Sequence, residues 1–427
     1  MSFFCEGQHG FREGRSTETN LIEFYEKVCD ILQERDGWVD CIFLDFQKAF
    51  DSVPHNRLLE KLDKLAGIRG TLKEWIRDYL TDRQQKVVIR GTVSQPGKVT
   101  SGVPQGSVLG PLLFLIYIND LPEGIKSFMN MFADDAKLMK RIVSLKCCEE
   151  LQDDLNKLAE WTATWLIAFN AAKCSVMRMG VSKYRETYQY VLNNTNLRVS
   201  ECEKDLGILV TPNMSPDKHI AAIVKSTYAQ LANIRVAFKP MDLEMFKTIY
   251  TTYVRPKLEY AVQFWNPHLK KYEDKIERVQ RHATKMVPEL RDLSYEERLN
   301  KLNLPTLKER RERGDMITTF KFIKGFDDVR SENYFDRRHG TTRGHSLKLK
   351  KRAPKQDVSK YFFSNRVVDR WNALKEETIQ AKTIANFKKR YDDEQKIKKA
   401  RIVVGTDGLP RERTSETISL DERTVSN

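Results

Sequence analysis

The sequence lacks the features that mark membrane proteins, secreted proteins and zinc ribbons. No apolar run approaches the ~18–20 residues that a membrane span needs, and no basic segment followed by an apolar stretch marks a signal peptide at the N-terminus. The seven cysteines are odd in number and include no CxxC pair, which fits a reducing compartment. No GxGxxG follows a predicted strand, which disfavours a dehydrogenase. We therefore expect an intracellular protein of the cytoplasm or nucleus that is not secreted and has no membrane partner.

Charge is plentiful but uneven along the 427 residues. Residues 217–400 contain 42 Lys and Arg against 25 Asp and Glu, a net charge of +17, whereas the remaining residues together carry −3. A basic helical half suits a phosphate backbone, which proteins bind mainly through Lys and Arg. A solvated helical surface is an equally good interpretation of the charge alone. The length is sufficient for two or three domains of ~150 residues each.

The acidic pair Asp134-Asp135 lies in an otherwise apolar run. In a tight hairpin both carboxylates can reach one small volume, where they repel each other unless a cation lies between them. A hard divalent ion such as Mg²⁺ prefers oxygen ligands and completes its shell with waters and phosphates. The pair therefore suggests a metal-phosphate site. Taken alone it is weak, because the chain has three more such pairs on faces predicted to be solvated: Asp153-Asp154, Asp327-Asp328 and Asp392-Asp393.

A third carboxylate, Asp45, lies at the end of a predicted buried strand, residues 38–46. An acidic side chain at the exit of a buried strand is costly to desolvate unless it is paired or bound to a metal. Asp45 is thus the natural companion of Asp134 and Asp135. The alternative is that Asp45 caps the helix predicted to follow it.

A loop rich in Gly and Pro, residues 101–111, precedes an apolar helix predicted over residues 112–118. Glycines permit a ligand to approach the backbone closely, and N–H groups at a helix start favour an anion or a polar base edge. Two glycines and a proline surround Gln105, which is more than a connector needs. A plain strand-to-helix loop remains the alternative.

Two further segments carry basic residues that have alternative interpretations. Residues 8–15 form a Gly-broken turn with two arginines, ahead of a helix predicted to start at Ser16. The arginines either clamp a triphosphate or belong to a surface turn. Lys173 follows an amphipathic helix predicted over residues 151–165, and it is either a proton donor, a phosphate contact or a surface residue at a helix end.

The spacing of apolar residues predicts the remaining strands and helices of the chain. Strands are predicted over 86–93, 175–179 and 206–210, a helix over 71–80, and mainly helices beyond residue 217. Residues 401–427 lack apolar periodicity and are predicted to form a disordered tail.

Taken in order, these motifs resemble those of the reverse transcriptases of non-LTR retrotransposons, in the jockey and chicken-repeat-1-like group. The resemblance covers roughly residues 7–395. Its matching segments are residues 8–17, 44–51, 102–107, 132–135, 170–174, 206–207, 255–260 and 279–284.

The resemblance implies an RNA-directed DNA polymerase that joins dNTPs to a primer 3′-hydroxyl by two-metal nucleotidyl transfer. Asp45, Asp134 and Asp135 would hold two Mg²⁺ ions, or Mn²⁺ in their place, with the Phe46 carbonyl as a further ligand. The implied partners are an RNA template, a DNA primer, target DNA and dNTPs. The oligomeric state is not implied.

The resemblance also implies roles around the nucleotide. Phe50 resembles the steric gate that selects deoxyribonucleotides by excluding a 2′-hydroxyl. Arg12 would contact the triphosphate, and Gln105 and Gly106 would lie against the incoming nucleotide and the template.

Three further positions match motifs at the edges of the site. Lys173 would be a general acid for pyrophosphate. Leu206 and Gly207 lie in the primer-grip region.

The implied fold class is α+β, a right-hand polymerase palm in which helices back an antiparallel sheet, with partial fingers and an all-helical thumb and C-terminal region. The expected domains are partial fingers (1–35), palm with the remaining fingers elements (36–212), helical thumb (213–300), basic helical C-terminal region (301–400) and disordered tail (401–427). In this family the fingers begin well upstream of the first motif, so we expect an N-terminally truncated chain. The alternative function is a catalytically inactive remnant that only binds nucleic acid.

Overall fold

The computed structural model describes residues 3–34, 37–180, 188–338 and 344–404. Its α-helices are α1 (Thr17–Leu32), α2 (Ala49–Ser52), α3 (His55–Lys64), α4 (Gly70–Leu80), α5 (Leu109–Ile118), α6 (Leu145–Trp165), α7 (Asp217–Ala237), α8 (Leu243–Ile249), α9 (Arg255–Glu259), α10 (Val262–Trp265), α11 (Lys270–Ala283), α12 (Tyr295–Leu302), α13 (Leu307–Lys324), α14 (Asp357–Tyr361), α15 (Phe363–Arg366), α16 (Val368–Asn372), α17 (Glu376–Ile379) and α18 (Ile384–Val404). A π-helical segment, Tyr250–Val254, joins α8 to α9.

The strands are β1 (Trp38–Leu44), β2 (Gln84–Gln85), β3 (Val88–Ile89), β4 (Thr92–Val93), β5 (Gly97–Lys98), β6 (Phe128–Phe132), β7 (Asp135–Arg141), β8 (Ser175–Gly180), β9 (Val191–Leu192), β10 (Thr195–Asn196), β11 (Arg198–Val199), β12 (Glu203–Asp205), β13 (Ile208–Val210), β14 (Asp336–Arg337) and β15 (Leu349–Lys350). Five of them form the central sheet in the order β11-β8-β1-β7-β6. β1 pairs antiparallel with β7 and β8, and β6 pairs antiparallel with β7, whereas β11 runs parallel to β8. The central strand β1 is buried almost throughout, as its mostly apolar sequence predicts.

The two faces of the sheet pack into different cores, because side chains alternate between faces along a strand. Val39 and Cys41 belong to a core shared with α1 and with the helices of the second half of the chain. Ile42 and Leu44 belong to a second core, shared with α3, α5 and α6. The predicted α+β class, with helices backing an antiparallel sheet and a helical C-terminal region, is confirmed. The expectation that this region is all-helical is wrong, because β14 pairs with β15.

Helix α1 begins where its sequence predicts. The Ser16 hydroxyl accepts from the Thr19 N–H, and the Thr19 hydroxyl accepts from the Ser16 N–H, a reciprocal capping box. The far end of α1 is held by the C-terminal region, since Gln356 donates to the Leu32 carbonyl and Ser364 donates to Glu26. The first helix and the C-terminal region therefore pack as neighbours although they lie at opposite ends of the chain.

Two predicted strands are wrong in detail. Residues 86–93 form a hairpin rather than one strand, because Arg90 and Gly91 have φ values of 49° and 84° and reverse the chain. Leu206 and Gly207 form a second turn, with φ values of 45° and 88°, and the strand begins only at Ile208. Left-handed residues cannot continue a strand, and both turns have the two positive φ angles of a type I′ hairpin.

Three other expectations can be compared with the structure. Asp154 is fully buried rather than solvated, and it accepts from the backbone N–H groups of Lys126 and Ser127. Helix α18 runs to Val404, into the segment predicted as a tail, and residues 405–427 lie outside the described residues. No helix in the described ranges is long and apolar enough to cross a bilayer. The domain boundaries remain predictions.

Candidate active site

The register of the central sheet brings Asp45 towards Asp135. The last pair between β1 and β7 is Leu44 with Ala136. Extending this antiparallel pairing by one residue places Asp45 opposite Asp135, and residues directly opposite each other have Cβ atoms about 4.5–5.5 Å apart. The alternation of faces also agrees, because Asp45 follows Cys41 and Phe43 on one face and Asp135 precedes Met139 on the same face.

Asp134 lies in the tight turn that joins β6 to β7. Phe132 pairs with Asp135, so the turn consists of Ala133 and Asp134 alone. Ala133 has a left-handed φ of 53°, which closes the turn within two residues. The tight hairpin predicted from the sequence is therefore confirmed, with Asp134 in the turn and Asp135 at the start of β7.

The N-terminal segment holds this turn in place. The Gln8 side-chain oxygen accepts from the N–H groups of Ala133 and Gly10, both at 2.8 Å. Asn20 on α1 donates to the Met131 carbonyl at 2.9 Å, and Gln8 forms a parallel bridge with Met131. Neither Gln8 nor Asn20 was predicted as a site residue, although the position of Gln8 in the first matching motif pointed to it.

The carboxylates influence one another electrostatically. Burial raises the pKa of Asp134, and the negative charge of Asp45 raises it further. Asp135 is exposed at the start of β7, but partial desolvation by the surrounding protein raises its pKa to about 6, with further contributions from the negative charges of Asp134, Asp205 and Asp45. These effects act over short distances, and together with the strand register they indicate that the three predicted carboxylates form one acidic cluster at the end of the sheet.

Asp45 contacts the segment that contains Lys173. The Asn170 N–H donates to the Asp45 carbonyl at 2.7 Å, and the Asp45 N–H donates to the Cys174 thiol at 3.4 Å. The ammonium of Lys173, an exposed side chain, lies 3.2 Å from Asp45 Oδ2. This contact is an ion pair without hydrogen-bond geometry, because Oδ2 is buried and accepts no hydrogen bond. The structure thus brings Lys173 to the cluster.

The residues fit a divalent cation chemically, although they do not form a closed metal site. Over the described ranges, no three His, Cys, Asp or Glu side chains are arranged as ligands of one ion. Asp45 nevertheless has a buried oxygen without a hydrogen-bond partner, next to two carboxylates with raised pKa values. Clustered carboxylate oxygens are the donors that Mg²⁺ prefers. In the antiparallel β-bridge between Phe46 and Phe169, the Asp45 carbonyl accepts from the Asn170 N–H. The Phe46 carbonyl takes no part in this bridge.

Phe50 lies where the glycine-rich loop contacts α2. Its ring stacks on Phe114 with centroids 4.4 Å apart, and Phe11 meets it edge-on at 6.4 Å. Its carbonyl accepts from the Val103 N–H at 2.8 Å. A Cβ at Gly102 would lie within 3 Å of the backbone around Phe50, and Gly102 has a φ of 91°, so this close approach requires glycine.

The structure also brings Gln105 to this region. Its side-chain amide donates to the Asp51 carboxylate at 2.8 Å, one residue beyond Phe50. Gly106 follows with a φ of 81° and with open space where a side chain would lie. The two loop positions predicted to contact a nucleotide are thus exposed to solvent beside Phe50.

Arg12 is engaged by protein groups. Its guanidinium donates to the Cys5 and Gln8 carbonyls at 2.8 and 3.1 Å and pairs with Asp328 at 3.3 Å. These contacts tie the turn at residues 8–15 to the helical half of the chain. The predicted contact of Arg12 with a triphosphate stays a prediction.

Leu206 lies beside the carboxylate strand. It lines a cavity of about 40 Å³ together with Asp135 and Lys137. On its other side, the Tyr260 hydroxyl donates to the Leu206 carbonyl at 2.9 Å, and the same ring lies against Gly207. The turn predicted to contact a primer therefore adjoins the acidic cluster.

The chain is similar in sequence to known polymerases of mobile elements. Residues 1–207 match a family described as reverse transcriptase (RNA-dependent DNA polymerase). The chain is 29% identical over 301 residues to the probable RNA-directed DNA polymerase from transposon BS of Drosophila melanogaster, covering 66% of this chain and 32% of that protein. It is 28% identical over 282 residues to the RNA-directed DNA polymerase from mobile element jockey of Drosophila funebris, covering 63% and 30%. The chain thus spans about a third of the length of these relatives.

Among solved structures, the chain is similar to telomerase from Candida albicans in complex with a fragment of telomeric RNA. The TM-score is 0.36 at 11% identity, and the match covers 64% of this chain and 52% of that one.

Proposed function

We propose that this chain, whose residues 1–207 are a reverse transcriptase domain of the non-LTR retrotransposon type, is an RNA-directed DNA polymerase. The proposed reaction transfers a nucleotide from a dNTP to a primer 3′-hydroxyl, with pyrophosphate as the leaving group. Its proposed partners are an RNA template, a DNA primer and target DNA, and its proposed place is inside the cell, in the cytoplasm or nucleus.

One observation carries the proposal. Asp45 is far in sequence from the adjacent pair Asp134-Asp135, yet the β1–β7 register and the two-residue turn support a common location for all three at one end of the sheet. The raised pKa values of Asp134 and Asp135, and the buried Asp45 Oδ2 that accepts no hydrogen bond, are difficult to explain as a purely structural arrangement. We propose that these three residues, with the Phe46 carbonyl, hold two Mg²⁺ ions, or Mn²⁺ in their place. Bound there, the ions would activate the primer hydroxyl and neutralise the triphosphate and the leaving pyrophosphate.

The chain's own side chains supply selectivity around this cluster. The Phe50 ring is fixed between Phe114 and Phe11 and would exclude a 2′-hydroxyl by its bulk. Gln105, oriented by Asp51, and Gly106, with open space beside it, would lie against the nucleotide and the template.

Cations and the second turn complete the proposed site. Lys173, paired with Asp45, would donate a proton to the departing pyrophosphate. Arg12 would contribute positive charge towards the triphosphate. Leu206 and Gly207 would contact the primer, since their turn adjoins the cavity that Asp135 lines.

Primer extension on poly(rA)/oligo(dT) with Mg²⁺ tests the proposal. We expect dTTP incorporation by the wild-type chain and a loss of at least about 100-fold in Asp134→Ala and Asp135→Asn, because an interaction needed in the transition state is removed. The matched control is Asp153→Asn, which changes an exposed aspartate of another Asp-Asp pair on α6. Incorporation in this control should equal that of the wild type.

Other outcomes would contradict the proposal. No incorporation by a folded wild-type chain, combined with salt-sensitive binding of the same template-primer, would favour an inactive remnant that only binds nucleic acid. Equal incorporation in Asp134→Ala and in the wild type would refute the role of the cluster.

A further inference from the structure

A buried ion pair connects the strand of Asp135 to the turn at Leu206. Lys137 lies two residues after Asp135 on β7, on the same face of the sheet. Its ammonium contacts the Asp205 carboxylate at 2.5 Å, and both side chains are almost fully buried. Asp205 is the residue immediately before Leu206. Lys137 is therefore two residues, and Asp205 one residue, from a proposed site residue.

Asp205 also binds the first helix. The Tyr25 hydroxyl on α1 donates to Asp205 Oδ2 at 2.8 Å. The Lys137 ammonium lies 4.7 Å from the Phe24 ring and 5.2 Å from the Tyr25 ring, so aromatic faces surround it. One carboxylate thus joins three elements, α1, β7 and the β12–β13 hairpin.

The turn that follows Asp205 has a strained backbone, so contacts with the surrounding protein are needed to hold it. Leu206 has a left-handed φ of 45°, a conformation that is unfavourable for a residue with a Cβ. It is fixed on one side by Asp205 and on the other by the hydrogen bond from Tyr260. Strained residues of this kind persist where the surrounding contacts determine them, and they concentrate at functional sites.

We infer that Asp205 is a positioning residue, which uses its bonds to Lys137 and Tyr25 to set the place of the Leu206–Gly207 turn relative to the carboxylate of Asp135. The inference rests on the proposed function, because the turn is proposed to contact the primer. An ion pair along this path fixes the distance between primer end and acidic cluster, and small misplacements of reacting groups are costly in rate. Neither Asp205 nor Lys137 needs to touch a substrate for this role.

The test measures kcat per active site, from burst amplitudes on poly(rA)/oligo(dT), in Asp205→Asn, Tyr25→Phe and the double variant K137M/D205N. We expect Asp205→Asn to lower kcat roughly 10- to 100-fold, with the KM for dTTP within about threefold of the wild type. The double variant should be no worse than Asp205→Asn by more than about threefold, because the two residues act as one unit. If Asp205→Asn does not fold, Tyr25→Phe and the double variant, which leaves no buried unpaired charge, still decide the question.

Lys61→Met is the matched control. Lys61 is an equally buried lysine that contacts Asp120 at 2.5 Å and the Tyr117 carbonyl at 2.6 Å, so its pair lies at the end of α5 rather than at the Leu206 turn. Its loss should lower the melting temperature and leave kcat per active site unchanged. A fall in kcat equal to that of Asp205→Asn would overturn the inference.

Amide hydrogen exchange over residues 203–210 provides a readout that does not depend on activity. We expect faster exchange in Asp205→Asn than in the wild type or Lys61→Met, because the hairpin loses its tie to β7. Unchanged exchange, or a lower melting temperature with wild-type kcat, would overturn the inference. A wild-type chain that incorporates no dTTP would refute the proposed function, whereas the exchange rates would still decide whether Asp205 holds the turn.

Discussion

Replacing Gln8 with alanine should loosen the turn that carries the aspartates. Gln8 is 2% exposed, and its side-chain oxygen is the acceptor for two backbone N–H groups, those of Gly10 and Ala133. Each buried donor left without a partner costs about 1–3 kcal/mol. We therefore expect Gln8→Ala to lower the free energy of unfolding by about 3 kcal/mol, before any contribution from the cavity that the shorter side chain leaves.

The same substitution should lower activity by more than its effect on stability. Ala133 is adjacent to Asp134, so a turn that shifts by about 1 Å can cost roughly 100-fold in rate. Urea denaturation would give the unfolding free energy, and primer extension normalised to folded protein would give the rate. Gln8→Glu keeps an acceptor oxygen and should retain more of the stability than Gln8→Ala.

Gln280→Ala is the matched control for this prediction. Gln280 is also fully buried, and it bonds to the hydroxyls of Tyr250 and Tyr295 within the helical half of the chain. Its loss should cost a similar free energy of unfolding without changing the rate per folded molecule. A loss below about 1 kcal/mol in Gln8→Ala, or a rate that follows the folded fraction as in Gln280→Ala, would refute the reasoning.

Two more predictions follow. In Mg²⁺-free buffer, the free energy of unfolding should fall as pH rises from about 4 to about 6, because the folded-state pKa of Asp135 lies above its unfolded value and the unfolded state loses its proton first. Urea midpoints across this range should fall less in Asp135→Asn than in the wild type. An identical pH dependence of the two midpoints would contradict the raised pKa of Asp135. Gly102→Ala should lower the melting temperature and the activity together, since a Cβ there would lie 2.7 Å from the Asp51 Cα at a φ of 91°; a melting temperature equal to that of the wild type would show that the loop can move away.

Much of the fold could be predicted locally. Three features depend only on short stretches of sequence, and the structure has them as predicted. They are the mostly apolar strand β1, the capping Ser16 of α1 and the tight Asp134-Asp135 hairpin. The resemblance to reverse transcriptases is supported by the family match over residues 1–207, and its non-LTR retrotransposon type by the similarity to the polymerases of transposon BS and the jockey element. The strand predicted over 86–93 was wrong because turn conformation at Arg90 and Gly91 outweighed the strand propensity of the valines around them.

Other features could not be predicted because they depend on partners distant in sequence. Asp153-Asp154 has the same composition as Asp134-Asp135, yet Asp154 is buried because a loop 27 residues earlier supplies two N–H donors to it. Arg12 has the chemistry of a triphosphate contact, but Asp328 reaches it from more than 300 residues away.

The sequence by itself determined which residues carry oxygen, charge and bulk, and the order in which the motifs occur. Only the tertiary structure decided that Leu44 pairs with Ala136 and so brings Asp45 towards Asp135, because strand register is a property of two paired segments rather than of either one. It also decided that Lys137 is buried against Asp205, since an alternating strand pattern gives the face of a side chain but not the element packed on that face.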